Sequence, residues 1–451
     1  MNASMSRLGT PSALVILTVV AAASLVGTLG ADSRWVAALG RAIVDDGGIP
    51  DGVPYATAPS AGWPNVLGLA QVIFWAFEAG LGDRGLLLIH LAAVAFGLSL
   101  LAHSASRAGA SEGATALVLA VVAAGALEHV VVVRLELFSL VLFPLLLALL
   151  HAEARAPSRR IWLLVPLVAL WGNLHGAVLA GLAVAGAYLL LERGRQEPLT
   201  ALGVLTGSAT ALLLNPALHR APEYYVGVLR SEAARRGFGL WEAISLTSPF
   251  DVVFLAGAGV LLVFALRARP AVWEAVAITG LAMLTAKAAR SGVWLAFGLA
   301  VPAARGFHLP GMVRRRIVWT ALAVAAAAAA VGLATGPIAT GVDDAMLRDT
   351  LKRARGTPVL AEPLAAEQLA LAGGRVWIAN PLDAFSLRHQ RIYLDWLQGR
   401  RAGDRALALT PRVVLVDAGG PAAERIARDR SFVEVRREDG AALYVRRQPA
   451  G

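Results

Sequence analysis

IWLLVPLVALWGNLHGAVLAGLAVAGAYLLL, residues 161–191, is an apolar stretch that is interrupted near its centre by Asn173 and His175. As one α-helix it would be roughly 46 Å long at 1.5 Å per residue, whereas the hydrocarbon core of a bilayer is about 30 Å thick. Gly172 and Gly176 flank the polar pair, and glycine is common where a chain turns tightly. The stretch therefore predicts a short membrane hairpin whose tip is the motif WGNLHG, residues 171–176.

The composition of the whole chain indicates a membrane protein. Of its 451 residues, 57% are hydrophobic and 16% are charged, whereas soluble domains have roughly 45–50% and 25%. The formal net charge of +10 comes mostly from arginine, which in a membrane protein indicates basic cytoplasmic loops rather than nucleic-acid binding. The absence of cysteine excludes disulfides, thiolate metal sites and a cysteine nucleophile.

The distribution of apolar segments predicts a mainly α fold. We expect a polytopic transmembrane helix bundle of about 11–12 membrane segments, including the hairpin at 161–191, followed by a small C-terminal α/β domain. Residues 1–31 also resemble a signal peptide, but the membrane-embedded character of the rest favours an uncleaved first helix. The predicted domains are a transmembrane domain at 1–340, with a first outer loop at 31–63, and an α/β domain at 341–451.

The last hundred residues differ in character from the rest. Strand-like runs alternate there with helical patterns such as SLRHQRIYLDWLQ at 386–398, which is typical of a small α/β domain. The predicted strands are VWIA (376–379), VVLVD (413–417), FVEV (432–435) and ALYV (442–445).

Arginine-bearing connections predict the orientation in the cytoplasmic (inner) membrane. Cytoplasmic loops carry an excess of Lys and Arg, so we place Arg7 and the five basic connections inside. With the N-terminus inside, the number of crossings then places the hairpin tip, the first loop and the C-terminal domain outside. The basic connections are 103–112, 153–160, 192–197, 267–270 and 314–316.

Polar residues gather on the side that this orientation predicts to be outer. Such residues in membrane segments are costly and usually mark a function or an internal pair. Carboxylates, cations and aromatic side chains at one depth suit a lipid-phosphate substrate, because cations bind phosphate and a carboxylate can move a proton. The candidate residues are Asp32, Arg134, Glu136, Asn173, His175, Glu242, Lys287 and Arg290.

Each candidate also has a structural interpretation. Asp32 could cap the helix predicted at 34–45, and Arg134 and Glu136 could be ordinary interfacial residues. Asn173 and His175 could satisfy backbone groups in the turn. Lys287 and Arg290 could extend to the lipid headgroups. The functional interpretation depends on their convergence, so we expect Asp32, Arg134, His175 and Lys287 to line one cavity.

Several motifs together resemble the GT-C superfamily of polytopic glycosyltransferases that use polyprenyl-phosphate sugars, and within it a group of prokaryotic membrane proteins. The chain matches that group's patterns most specifically in DSRWVAALGRAIVDDGGIP (32–50) and WGNLHG (171–176). Weaker matches are RLELFSL (134–140), Asn215–Pro216, Trp241–Glu242 in reversed order, and KAARSGVW (287–294).

The resemblance implies transfer of a sugar from a polyprenyl-phosphate donor to an envelope glycan, lipid or protein acceptor at the outer membrane face. In this role Asp32 would be the general base, and Arg134, Lys287 and Arg290 would bind the donor phosphate and stabilise the leaving group. His175 would position the acceptor or the phosphate. No second carboxylate adjoins Asp32, so the sequence offers no clear acidic pair for a divalent metal. The family's C-terminal Asp-Gly-Arg-like site also has no clear counterpart in ANPLDAF (379–385).

Two other classes of function fit the same sequence. Polar residues within a helix bundle also serve the substrate pathways of transporters and flippases, although here they lie on one side and no internal repeat is visible. A non-catalytic scaffold derived from the same fold would have a very similar sequence, since the acidic pair that would bind a metal is missing here. The partners common to these interpretations are the lipid bilayer and a lipid or solute, and no nucleic acid is expected.

Overall fold

A computed structural model describes residues 9–307, 315–409 and 412–447. Arg7 and Arg314, which the sequence assigns to the inner side, lie outside these ranges. The chain is mainly α-helical, as predicted. The first eleven helices are α1 (Thr10–Val26), α2 (Ser33–Asp46), α3 (Gly68–Leu81), α4 (Asp83–Arg107), α5 (Glu112–Gly125), α6 (Leu127–Val131), α7 (Leu137–Arg155), α8 (Leu164–Gly172), α9 (Val178–Tyr188), α10 (Gly194–Gln196) and α11 (Pro198–Ala211).

The second half of the chain contains further helices and most of the strands. These helices are α12 (Ala221–Arg230), α13 (Glu232–Arg236), α14 (Pro249–Arg267), α15 (Val272–Lys287), α16 (Gly292–Gly306), α17 (Arg315–Thr335), α18 (Asp344–Ala354), α19 (Pro363–Leu371), α20 (Leu387–Leu397), α21 (Asp404–Leu409) and α22 (Pro421–Ala427). The strands are β1 (Thr28–Leu29), β2 (Val132–Val133), β3 (Val359–Ala361), β4 (Val413–Asp417), β5 (Phe432–Glu438) and β6 (Ala441–Arg446).

The chain forms two compact units, each made of separate stretches. The first unit comprises the described residues within 1–28, 81–215 and 239–338. The second comprises those within 29–80, 216–238 and 339–451. The predicted first loop and most of α3 therefore group with the C-terminal region, whereas α1 belongs to the first unit.

The first unit is a bundle of apolar helices in which α1 packs against α17, α4 against α7, and α14 against α5 and α16. Among the described residues, three helices have the length and composition to cross a bilayer: α4, α7 and α14. Only 17% of the apolar window of α14 is buried within the protein. A face this apolar and exposed is expected where a helix contacts lipid.

The contact of α4 with α7 depends on one proline and one glycine. Pro144 lies inside α7 and has no N–H to offer the carbonyl of Leu140, four residues earlier. Gly97 of α4 packs directly against that carbonyl, and a Cβ atom there would collide with it. The missing side chain thus lets the two backbones approach closely.

The predicted hairpin at 161–191 is confirmed. Helix α8 ends at Gly172 and α9 begins at Val178, and the turn between them contains Asn173 and His175. The backbone N–H groups of Leu174 and His175 both donate to the carbonyl of Trp171, at 2.9 and 3.0 Å. The two arms contact each other, and Gly181 of α9 leaves room for the Trp171 ring.

The second unit contains a four-stranded sheet in the order β3-β4-β6-β5. Strand β4 pairs parallel with β3 and antiparallel with β6, and β5 pairs antiparallel with β6. Asp439 and Gly440 join β5 to β6 with positive φ values of 46° and 79°, as a tight hairpin turn requires. Helix α2 packs against α19, and α18 and α22 contact β4.

The strand predictions were right in three of four cases. Strands β4, β5 and β6 confirm the runs at 413–417, 432–435 and 442–445, and α20 confirms the helix at 386–398. The prediction of a strand at VWIA (376–379) was wrong, because only Val376 makes bridge pairings, with Ala56 and Val359. The strand next to Val376 is β3, and its three residues are too few to show a strand pattern in the sequence.

Candidate active site

Asp32 adopts an unusual backbone conformation at the start of α2. Its φ of 89° and ψ of −21° lie in the left-handed region, which is uncommon for residues other than glycine and is often found at functional sites. Its side chain makes no capping hydrogen bond, so it does not cap α2. Instead, the indole Nε1 of Trp35 donates to Oδ1 of Asp32 at 2.8 Å, which fixes the position of that oxygen.

A buried carboxyl group lies next to the backbone of Asp32. The N–H of Asp32 donates to both carboxyl oxygens of Glu367 at 3.2 Å, and Asn380 Nδ2 donates to Oε1 at 2.9 Å. Burial raises the pKa of Glu367 to about 8, and the nearby charge of Asp32 contributes to the increase. Glu367 therefore keeps its proton at neutral pH and adds no negative charge beside Asp32.

The segment at 379–385 contributes to the same group. Trp63 Nε1 donates to Oδ2 of Asp383 at 2.9 Å, and the hydroxyl of Tyr55 donates to the carbonyl of Asn380 at 2.8 Å. Burial raises the pKa of Asp383 to about 6, and the charge of Asp32 acts in the same direction. We call Asp32, Glu367, Asn380 and Asp383 the acidic cluster of the second unit.

The first unit contains a second polar group at the start of α7. His129 Nδ1 lies 2.7 Å from Glu136 Oε1, and both side chains are buried. Arg134 pairs with Glu128 at 2.7 Å. Arg134 also interacts electrostatically with Glu136, as does His175 of the hairpin turn. We call His129, Arg134, Glu136 and His175 the histidine cluster; it unites three of the residues predicted from sequence.

Arg290 approaches this cluster from the start of α16. It interacts electrostatically with His175, and its guanidinium carbon lies 3.9 Å from the centroid of the Trp241 ring, an attractive cation–π geometry. The adjoining Glu242 is held by its backbone carbonyl, which accepts from Ala289 N at 2.9 Å. Its carboxylate accepts from Gly239 N at 3.2 Å. Glu242 therefore helps to shape the loop that carries Trp241.

The other two predicted residues of the first unit have different surroundings. Lys287 is exposed at the end of α15. Asn173 Nδ2 donates to the carbonyls of Ala169 and Leu214, at 2.8 and 2.6 Å. Both amide hydrogens of Asn173 are thus used on backbone carbonyl groups, which supports the structural interpretation of this residue.

No protein-family model matches this sequence, and no curated protein matches it. Among solved structures, the chain is similar to the crystal structure of ArnT from Cupriavidus metallidurans bound to undecaprenyl phosphate. The sequences are 12% identical, the TM-score is 0.55, and the similarity covers 96% of each chain. The chain has a GT-C fold. This result confirms the fold that the motifs at 32–50 and 171–176 imply.

Within this GT-C fold, sequence reasoning missed three residues. Glu367 lies in the helix PLAAEQLAL, where one glutamate carries no signal that it will be buried. Asp383 lies in ANPLDAF, which was set aside because it departs from the family's pattern. Ser139 lies in the quoted motif RLELFSL, but a serine in an apolar helix usually bonds its own backbone. Here its Oγ lies 2.7 Å from His175 Nδ1.

One group of carboxylates among the described residues has the proximity that a metal ion requires. Oxygen atoms of Asp343, Glu438 and Asp439 lie within 4.8 Å of one another, and two of these residues are exposed. We assign no ligand to them, because exposed acidic groups are common without an ion. The acidic cluster around Asp32 is held by the hydrogen bonds described above.

Proposed function

We propose that this protein is a membrane-embedded glycosyltransferase that moves a sugar from a polyprenyl-phosphate donor to an acceptor. The observation that carries the proposal is the geometry of Asp32 within a GT-C fold. Its carboxylate is turned away from helix capping and held through one oxygen by Trp35. A carboxylate that a neutral donor holds in one orientation can accept a proton from a hydroxyl group placed beside it.

In the proposed reaction, Asp32 is the general base. It takes the proton of an acceptor hydroxyl while the hydroxyl oxygen attacks the anomeric carbon of the sugar. The bond from that carbon to the phosphate oxygen breaks, and polyprenyl phosphate leaves with its electron pair, so the configuration at the anomeric carbon inverts. Protonated Glu367 fixes the Asp32 backbone without repelling the negative charge that the base needs.

Cations of the first unit suit the leaving group. Negative charge develops on the phosphate as the glycosidic bond breaks, and fixed cations stabilise that charge. Arg290 is pre-oriented over Trp241, and Arg134 adjoins the histidine cluster. We propose that both bind the donor phosphate, with a further contribution from Lys287, and that Glu242 and Asn173 support this region.

The proposed location is the outer face of the cytoplasmic membrane, with the N-terminus inside and the C-terminal region outside. This orientation follows from the arginine-bearing connections. The acceptor would then be an envelope glycan, lipid or protein that has a free hydroxyl group.

The test measures release of undecaprenyl phosphate from radiolabelled undecaprenyl-phosphate sugars in proteoliposomes supplied with bacterial envelope extract as acceptor. Asp32→Asn should lower the release rate by roughly a hundredfold or more, within the range attributed to a general base. The matched control is Asp45→Asn, which changes an exposed carboxylate on the same helix and should leave the rate unchanged.

Two results would contradict the proposal. Full activity of Asp32→Asn would show that Asp32 is not the base. Movement of the intact donor across the bilayer, with no cleavage by the wild-type protein, would instead indicate a transporter or flippase.

A further inference from the structure

We propose that Ser139 and Trp171 fix His175 as the neutral tautomer protonated at Nε2, so that His175 donates a hydrogen bond to an oxygen of the donor phosphate. The phosphate half of this inference rests on the proposed function, whereas the tautomer does not. Ser139 and Trp171 act as positioning residues, and only His175 would touch the substrate.

The hydrogen bonds around Ser139 assign the direction of donation. An indole N–H can only donate, so Trp171 Nε1 donates to Ser139 Oγ at 2.7 Å. Ser139 has one hydroxyl hydrogen, and its Oγ also lies 2.7 Å from His175 Nδ1. The backbone N–H of Ala177 points at the same Nδ1 from 3.4 Å.

The backbone N–H of Ala177 can only donate, so Nδ1 is an acceptor and the Ser139 hydroxyl donates to the same nitrogen. A neutral imidazole carries one N–H and one bare nitrogen, so with Nδ1 accepting, the proton resides on Nε2. The relay therefore runs from Trp171 Nε1–H through Ser139 Oγ–H to His175 Nδ1. It leaves Nε2–H to donate on the opposite edge of the ring.

Packing makes this relay rigid. Ser139 and Trp171 are buried, with 0% and 1% of their surfaces exposed, whereas His175 is only partly buried. The Phe143 ring meets Trp171 edge-on with centroids 6.0 Å apart, and it stacks on Trp294 at 5.3 Å. The indole and hydroxyl donors are thus held by two helices, α7 and α8, while the imidazole lies in the turn.

Cations near His175 suit an anion as the ligand of Nε2–H. His175 interacts with both Glu136 and Arg290. The charge of Glu136 is offset by His129 and Arg134. A neutral N–H donor beside cations can bind a phosphate oxygen without supplying a labile proton of its own. In this arrangement His175 binds the leaving group and takes no part in proton abstraction.

The first experiment measures the tautomer directly. The full chain, labelled with ¹⁵N-histidine and reconstituted in lipid, contains eight histidines, and comparison with His175→Gln identifies the His175 signals. We expect an unprotonated Nδ1 and a protonated Nε2 at neutral pH. Ser139→Ala should produce a mixture of tautomers, and Ser139→Thr, which keeps the hydroxyl, should restore the single form.

The second experiment measures the dissociation constant of undecaprenyl phosphate for variants at the same position. Glutamine places an amide N–H near the position of Nε2, whereas asparagine places it near Nδ1. His175→Asn should weaken binding by roughly tenfold or more, as expected when one hydrogen bond to a charged group is lost. His175→Gln should lose much less, and undecaprenol, which lacks the phosphate, should bind equally to all of these variants.

Ser104→Ala is the matched control. Ser104 is a buried serine of α4 whose hydroxyl donates only to the carbonyl of Leu100, at 2.8 Å. This substitution should change neither the tautomer of His175 nor the affinity for undecaprenyl phosphate.

The two experiments separate the relay from the proposed function. A protonated Nδ1 in the wild-type protein, or an unchanged tautomer in Ser139→Ala, would overturn the relay. Equal affinities of wild type and His175→Asn for undecaprenyl phosphate would overturn the phosphate contact. A protein that shows the expected tautomer and binds undecaprenyl phosphate, but transfers no sugar, would support this inference and contradict the proposed transferase activity.

Discussion

Asp32 begins α2 with a left-handed backbone, and its carboxylate accepts a hydrogen bond from the Trp35 indole. Its position after a membrane helix and its match to the family pattern single it out. The same position equally permits a helix cap, because Asp is among the preferred N-cap residues. The left-handed backbone decides between these interpretations, since the carboxylate then meets the Trp35 indole. In that conformation the Asp32 N–H donates to Glu367, more than three hundred residues away, and no local pattern encodes this contact.

Glu367 should make the stability of the second unit depend on pH. Its pKa is raised from 4.5 to about 8 in the folded protein, so its contribution to the free energy of unfolding is fully present below pH 4.5. This contribution is lost as the pH rises through about 8, by about 1.4 kcal/mol per unit of pKa shift. The wild-type melting temperature should therefore fall between pH 6 and pH 9, and Glu367→Gln should reduce the fall.

The control for this pH dependence is Glu424→Gln. The side chain of Glu424 is 71% exposed on α22, so this substitution removes a carboxylate from the surface rather than from the interior. If the melting temperature of Glu367→Gln fell as steeply with pH as that of the wild type, the pH dependence would belong to other groups. Asp383, whose pKa is raised to about 6, acts in the same direction over a lower pH range.

At the scale of single elements, periodicity and length predicted most of the structure. The hairpin at 161–191 followed from a length that no single helix could place in a bilayer. The strands at 413–417, 432–435 and 442–445 followed from their apolar, β-branched runs. VWIA (376–379) has the same composition but makes only bridge pairings at Val376. Its backbone bonds go to Tyr55, Thr57 and Ala58 of the first loop and to Val359 of β3. Composition cannot show these non-local pairings.

Asn173 should contribute to the stability of the hairpin rather than to catalysis. Its amide joins the end of α8 to the carbonyl of Leu214, and Asn173→Ala would leave two carbonyls without this donor. Loss of an ordinary hydrogen bond costs about 0.5–1.5 kcal/mol, so the loss of these two should lower the melting temperature measured in detergent. The kcat and KM of the folded fraction should change little.

Gln196→Ala is the control for this stability effect, because it removes an exposed amide at the end of α10. It should leave the melting temperature unchanged. An Asn173→Ala protein with wild-type stability and a large increase in KM would instead place Asn173 in the substrate site.

At the scale of the whole molecule, the fold class could be predicted because apolar runs reflect the solvent around them. Long apolar helices mark the first unit, and the mixed strands and helices near the C-terminus mark the sheet. The division into units could not be predicted in detail. The first loop joins the second unit through hydrogen bonds of Tyr55 and Trp63 to residues beyond 375. Such pairings between distant segments have no signature in one sequence.

The two cations of KAARSGVW should differ in their contribution to lipid binding, and charge alone does not distinguish them. Arg290 is held over the Trp241 ring at 3.9 Å and interacts with His175, so little side-chain entropy is lost when it binds a phosphate. Lys287 is exposed, and interactions of exposed charges are weak and screened by salt. Arg290→Ala should therefore weaken undecaprenyl phosphate binding by roughly tenfold or more, and Lys287→Ala by about threefold at most at physiological ionic strength. Arg195→Ala, which removes an exposed charge of α10, controls for net charge and should have no effect. Arg290→Ala and Lys287→Ala could instead weaken undecaprenyl phosphate binding equally, with neither effect remaining at high salt. That result would show that the lipid phosphate is held by a diffuse positive surface rather than by an oriented guanidinium.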